Sequence, residues 1–313
     1  MQSPSTEEVG LTLPVSMREL REATSGYLIG ESVTLEGLAV DSREVRDGDL
    51  FAAIKGSRVD GHEFAESALL AGAKGLLTEQ ALVGLEPQLV VPNVVEATAE
   101  FSRIKRSLFA GPVIGITGSA GKTTTKNLLS AALSENGEVL ATRGNQNNEL
   151  GVPLTLARLS DNQKFAVIEM GAGKPGDIAE LCDVAQPDVA VCLNALPAHL
   201  KAYENVAHIA ETKGEIYRGL QNRGVAVINA DQVWTPMWIE QAEKCRKITF
   251  GMSNEADFRA SEVIYHGLGM TSFQLSAPGI STKVKLQLSG QHHVINALAA
   301  LAVAIELGID HEA

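Results

Sequence analysis

Gly115-Ile116-Thr117-Gly118-Ser119-Ala120-Gly121-Lys122-Thr123-Thr124-Thr125 is the stretch that decides how this chain reads. An apolar run, Pro112-Val113-Ile114, precedes it, and Lys126-Asn127-Leu128-Leu129-Ser130-Ala131-Ala132-Leu133 follows with apolar residues at helical spacing. Strand, glycine-rich turn and helix in that order are the context of a phosphate-binding loop. Glycines let backbone N–H groups converge on phosphate oxygens, and the helix N-terminus adds partial positive charge. Gly118, Ser119, Ala120, Gly121, Lys122, Thr123 and Thr124 are therefore the candidate nucleotide-binding residues. Lys122 is spaced to reach the β- and γ-phosphates of ATP, and the Thr123 hydroxyl to sit on Mg2+. One position departs from the G-x-x-x-x-G-K-[ST] pattern: isoleucine stands at 116, and Gly115 comes one place early. The competing reading is a glycine-rich turn that binds nothing; the agreement of strand, Gly-Lys-Thr and helix outweighs it.

Downstream of the loop the chain alternates. Apolar strands are expected at Val113–Ile116, Phe165–Ile168, Val189–Leu193, Gly224–Ile228 and Lys247–Phe250, with helical patterns over 122–135, 148–157, 177–184, 204–220 and 235–244. Near-continuous apolar strands separated by helices imply an α/β fold with a mostly parallel sheet covered by helices. After residue 255 alternating residues at 258–264, 271–275 and 282–288 predict an antiparallel ribbon, and an alanine-rich helix from His292 to Leu307 stops at Gly308. Upstream, residues 11–110 mix short strands with helices, which predicts a small mixed α/β domain. Ala110-Gly111-Pro112 breaks the pattern, so the expected domains are 1–110 and 111–313.

The bulk numbers fit that division, because 313 residues leave room for about two cores. A net charge of −12 argues against nucleic acid and anionic membranes as partners. An anionic substrate must then be captured by local groups. No run of about 18 apolar residues predicts a membrane span, and the polar N-terminus lacks a signal-peptide pattern. Cys182, Cys192 and Cys245 show no C-x-x-C spacing and read as free thiols. A cytoplasmic monomer is the expectation.

Ligands of parallel sheets collect outside the carboxyl ends of the strands, so residues there are the next candidates. Glu169 ends the second apolar strand and is a candidate to complete a magnesium shell with Thr123. His199 follows the third strand end, where a neutral imidazole could bind a second metal; a structural or merely exposed histidine is the alternative. Lys213 lies in a helical pattern and, on the residues alone, reads as a solvated lysine. The amide-rich run Gly144-Asn145-Gln146-Asn147-Asn148-Glu149 suits a sugar or peptide ligand, or an ordinary helix cap. Asn296, near the start of the last helix, could read a base edge, though polar residues are common at that position.

These pieces, in this order, resemble the Mur ligase family over nearly all of the chain. In the first domain the resemblance rests on Asp41-Ser42-Arg43, Gly48-Asp49-Leu50-Phe51, Lys55-Gly56 and Asp60-Gly61-His62. In the second it rests on the run Thr117–Lys126, Asn145–Pro153, Ile168-Glu169-Met170-Gly171-Ala172 and Lys213-Gly214-Glu215-Ile216. The second set is most similar to the dipeptide-adding member, and the displaced loop glycine is normal in the family. The resemblance implies ATP-dependent ligation of D-alanyl-D-alanine to a UDP-N-acetylmuramoyl-tripeptide through an acyl phosphate, in peptidoglycan precursor synthesis. It further implies catalytic roles for Lys122, Glu169, His199 and Lys213. Thr123 and Glu169 would hold a nucleotide-bound Mg2+; His199 and a carbamylated Lys213 would hold a second. Asn296 would contact adenine, Ser42 and Arg43 the uridine diphosphate end, and Asn145 and Asn147 the muramoyl-peptide. His293 stands where many members carry Asn, and Leu200-Lys201-Ala202-Tyr203 replaces a usual Glu-Gly-Phe-like stretch. The family's C-terminal amino-substrate domain would lie beyond Ala313, so ligation by these residues alone is not expected. The preceding ligase of the pathway, a folylpolyglutamate-type ligase and a non-catalytic ATP-binding module are the alternatives.

Overall fold

The computed structural model describes residues 13–197, 203–220, 224–267 and 269–310. The chain divides into two compact units: residues 1–110 with 156–164, and residues 111–155 with 165–313. Assignment of Leu156–Lys164 to the first unit has no counterpart in the sequence pattern.

The first unit runs β1 (Val15–Ser16), α1 (Met17–Ala23), β2 (Tyr27–Ile29), β3 (Thr34–Leu35), β4 (Gly37–Ala39), β5 (Asp49–Ala52), α2 (Ala65–Leu70), β6 (Gly75–Thr78), β7 (Gln88–Val90) and α3 (Val94–Leu108). Its main sheet has the order β2-β7-β6-β5-β4, parallel except at β2. Helix α3 begins because the Asn93 side chain accepts from Val95 N and Glu96 N, serving two N–H groups that have no partner inside the helix. At the other end of α3, Lys105 turns inward and is fully buried. Its Nζ donates to the carbonyls of Leu13 (2.7 Å), Glu36 (2.6 Å) and Leu159 (3.0 Å). Burial pushes this ammonium down to about 8 from 10.5, which corresponds to roughly 3 kcal/mol against the charged form. Three charge-assisted bonds at roughly 1.5–3 kcal/mol each exceed that cost, so the ammonium stays and clasps three separate segments.

The Asp60-Gly61-His62 motif is likewise structural in this unit. His62 Nδ1 donates to Asp60 at 2.7 Å, and its Nε2 accepts from Glu79 N at 3.1 Å, which fixes the tautomer. Gly61 is required there, since a Cβ would come within 2.7 Å of the Ile54 backbone.

The second unit runs β8 (Val113–Thr117), α4 (Lys122–Ser134), β9 (Glu138–Ala141), α5 (Gly151–Leu156), β10 (Gln163–Glu169), α6 (Asp177–Ala185), β11 (Val189–Cys192), α7 (Val206–Arg218), β12 (Val225–Asn229), α8 (Thr235–Gln241), β13 (Arg246–Gly251), β14 (Phe258–His266), β15 (Met270–Ala277), β16 (Ile280–Leu286) and α9 (Gln291–Glu306). The sheet order is β16-β15-β14-β13-β12-β11-β8-β10-β9, parallel from β10 through β14 and antiparallel from β14 to β16. Alternation along β8 explains its two helical layers. Ile114 and Ile116 join a core with Leu129 and Leu133 of α4 and the buried alanines of α9, while Gly115 faces the other way. A Cβ on Gly115 would stand 3.2 Å from Met170 and 3.3 Å from Ile216 of α7. Gly115 is thus a packing glycine within the strand, and the phosphate loop proper begins at Gly118.

Two expectations shift. The helix expected over 148–157 forms only from Gly151, because Asn148 Oδ1 accepts from Gly151 N at 2.9 Å and caps it. Edge strand β9 was not expected, although Val139-Leu140-Ala141 is apolar; of its four residues only Leu140 is buried. Among the described residues no helix is long and apolar enough to cross a membrane.

Lys105→Met keeps the apolar stem and removes all three donors. It should cost about 3 kcal/mol of stability, read as a lower urea midpoint with an unchanged slope.

Candidate nucleotide-binding site

Parallel pairing of β8 with β10 and β11 brings three strand ends to one edge of the sheet. Glu169 pairs with Ile116, and Cys192 with Thr117. The turn after β8 therefore has a carboxylate on one side and the segment after Cys192 on the other.

Gly118 and Gly121 take φ of 155° and 87°, a region that side chains rarely adopt. At Gly121 there is also no room, since a Cβ would run into the Asn296 amide oxygen. Gly121 is the N-cap of α4 and offers no side-chain acceptor, so the first-turn N–H groups are left for an anion. The loop is braced from the far strand. Asn194 accepts from Ser119 N through its carbonyl (3.1 Å) and from Ala120 N through its side chain (3.0 Å), and donates back to the Ala120 carbonyl (3.1 Å). Ser119 Oγ and the Leu196 backbone add two more bonds. Asn194 is not among the candidates that the sequence singles out. Its position directly after an apolar strand was the one available signal.

Lys122 Nζ donates to Gly118 O at 2.8 Å, and burial lowers its pKa while Glu169 opposes the shift. Glu169 is 3% exposed and both of its oxygens are taken. Oε2 accepts from Thr123 Oγ1 at 2.9 Å, and Oε1 from Asn147 Nδ2 at 2.8 Å. Its backbone N–H donates to Thr142 Oγ1 (2.9 Å), while Lys126 Nζ donates to Thr142 O (2.7 Å). A hydroxyl and a carboxylate held together in this way suit Mg2+, which takes few protein oxygens and completes its shell with phosphate and water.

A cleft of about 660 Å³ opens beside these groups, lined among others by Gly118, Ser119, Lys122, Asn147, Asn148, Gly173, Lys174, Asp177, Tyr203 and Lys213. Lys213 is 5% exposed, and burial pushes it down to about 8, with the Lys122 charge adding to the fall. Its Nζ has no hydrogen-bond partner among the described residues. Asn147 and Lys213 thus come to one cleft with Lys122. Asn296 is buried against the loop at Gly121, and Thr124 follows in the first turn of α4. Asn145 is exposed and does not line the cleft. His199 lies outside the described residues. Ser42 and Arg43 belong to the first unit, where the Arg43 guanidinium holds the Asp41 carboxyl down to about 2 and is itself mostly exposed.

A phosphate loop on a parallel sheet, with a threonine of the following helix bonded to a glutamate at the neighbouring strand's end, defines a nucleoside-triphosphate-binding domain. The Mur ligase middle-domain model matches residues 116–304, and that of the Mur ligase family catalytic domain matches residues 34–107. The chain belongs to the Mur ligase family. It is 38% identical over 298 residues to the UDP-N-acetylmuramoyl-tripeptide–D-alanyl-D-alanine ligase of Escherichia coli K12, covering 95% of this chain and 66% of that protein. It superposes on MurF from Acinetobacter baumannii with a TM-score of 0.88 at 36% identity, over 97% of this chain and 67% of that one. MurF from Thermotoga maritima in complex with ADP gives a TM-score of 0.77 at 35% identity, over 88% and 64%. The chain spans just under two thirds of the Escherichia coli relative's length.

Asn147→Ala frees one oxygen of Glu169 while leaving the loop intact. The Mg2+ concentration needed for half-maximal ATP binding should rise about tenfold, measured by titrating Mg2+ against a fluorescent ATP analogue.

Proposed function

We propose that this chain is the substrate- and ATP-binding part of a ligase that joins D-alanyl-D-alanine to a UDP-N-acetylmuramoyl-tripeptide. The observation that carries the reading is the convergence of Lys122, Asn147 and Lys213 on one cleft, with the Thr123–Glu169 pair bonded directly to Asn147. ATP binding is supported by the loop geometry and by the ADP complex of the Thermotoga maritima relative.

The chemistry is acyl activation. The γ-phosphoryl group passes to the terminal carboxylate of the peptide, forming an acyl phosphate and ADP. The amine of D-alanyl-D-alanine then attacks the acyl carbon, loses a proton and expels phosphate. Such transfers depend on positioning and charge neutralisation. Lys122, half-buried and aimed back into its own loop, moves from the Gly118 carbonyl to the phosphates. The first-turn N–H groups of α4 cradle the same oxygens. Bound Mg2+, held by Thr123 and Glu169, with His199 and a carbamylated Lys213 at a second site, would neutralise charge on the phosphate and carboxylate oxygens. Carbamylation needs a neutral amine to attack CO2 with loss of a proton, and the burial that lowers Lys213 to about 8 favours that form. Asn145 and Asn147 are assigned to the muramoyl-peptide, Ser42 and Arg43 to the uridine diphosphate and Asn296 to adenine.

In the complete gene product, Lys122→Ala and Glu169→Gln should each reduce ADP formation at least about 100-fold. Wild-type turnover in either would overturn the assignment. Lys213→Ala should cause a comparable loss without weakening ATP binding more than about twofold. Replacing D-alanyl-D-alanine by a free diamino acid should abolish product; the reverse preference would move the chain to the preceding step of the pathway. Nucleotide binding without turnover would leave only a binding module.

A further inference from the structure

Lys213, Gly214 and Glu215 are consecutive on α7 and serve three different neighbours. Lys213 reaches the cleft. Gly214 meets α8 so closely that a Cβ would run into the Gln241 amide oxygen and stand 2.8 Å from Trp238 Cδ1. Glu215 crosses to α6, where Oε1 accepts from Gly176 N at 3.0 Å and Oε2 from Ala179 N at 3.1 Å.

The last contact fills a vacancy in α6. Helices α1, α3 and α7 are capped by the side chains of Ser16, Asn93 and Asn205. The N-cap of α6 is Gly176, at a φ of 90°, with no side chain to accept from the third helical N–H, that of Ala179. Glu215 supplies the acceptor from another helix. The segment that enters α6 is also a wall of the cleft, through Gly171, Gly173, Lys174 and Asp177. Asp177 closes this segment on itself by accepting from Gly173 N and Lys174 N. Among the described residues, the two Glu215 bonds are its hydrogen-bonded tie to α7. The phosphate loop is braced independently, by Asn194 and Leu196.

We propose that Glu215 is a positioning residue that holds the Gly171–Asp177 wall in place beside Lys213, and that it governs the fit of the peptide-bearing substrate rather than of the nucleotide. The proposal rests on the ligase reading of the cleft. Losing a two-point cap frees the wall while leaving the loop, Lys122 and Glu169 in position.

The test compares Glu215→Ala and Glu215→Gln with the wild type in the complete gene product. In Glu215→Ala, amide exchange across 171–181 should quicken about tenfold, and KM for UDP-N-acetylmuramoyl-tripeptide should rise about tenfold. Kd for ATP should stay within about twofold. Glu215→Gln keeps one carbonyl acceptor and the volume, so it should fall between the two; it carries the test alone if the alanine variant does not fold. Unchanged exchange across 171–181 overturns the proposal. So does a loss of ATP affinity equal to the rise in KM, or a lower Tm with wild-type kinetic constants. If the wild type makes no ADP with these substrates, the ligase reading fails by itself, and the exchange comparison still decides whether Glu215 anchors the wall.

Discussion

The parallel register of β8 and β10 is the constraint on which the nucleotide end of the second unit depends. It sets Glu169 beside Ile116, one residue before the chain leaves the sheet at Thr117. From that alignment the hydroxyl of Thr123, the second residue of α4, meets the carboxylate. Burial and the bonds to Thr123 and Asn147 fix the Glu169 rotamer on folding, so the pair is formed in advance of a ligand. The Asn147 and Thr142 bonds then lock Glu169 from behind. A one-residue slip of β10 would turn Glu169 to the opposite face of the sheet, and nothing else in the loop could replace it.

How far this was legible depends on whether a signal was local. The loop, the strands around it and Glu169 could be read because glycine spacing and apolar runs encode a strand–turn–helix directly. Gly115 misled because a glycine count cannot distinguish a loop position from a packing position; only the nearness of Met170 and Ile216 does so. The amide run at 144–149 is read as a sugar or peptide contact or as a helix cap, and its members divide between the two: Asn147 lines the cleft and holds Glu169, Asn148 lines the cleft and caps α5, and Asn145 is exposed and off the cleft. Identical chemistry at adjacent positions points in different directions on a turn, and sequence carries no record of which. Asn194 and Glu215 were passed over for the same reason, since each acts across a gap of at least 36 residues.

Roles for Ser42, Arg43 and Asn296 come from resemblance to a family, and elementary chemistry would not have assigned them. Asn296 shows why. An amide near a helix start ordinarily caps or solvates. This one is buried, and its nearness to Gly121 explains both the glycine and the asparagine.

Four of the five buried or half-buried lysines among the described residues make the final distinction. Lys105 and Lys126 are enclosed; Lys105 donates to three backbone carbonyls and Lys126 to one, that of Thr142 on the neighbouring segment. Such lysines are structural: their charge is answered where it stands, and removing the donor leaves the acceptors stranded. Lys122 has a single carbonyl partner in its own loop, an interaction it can exchange for a phosphate. Lys213 is as buried as Lys126 but has no hydrogen-bond partner among the described residues. Its stem is enclosed and its amine is left to the cleft, with no acceptor among the described residues to give up. Burial alone would have ranked Lys105 first among these four; the census of acceptors ranks Lys213 first, and with Lys122 it lines the cleft.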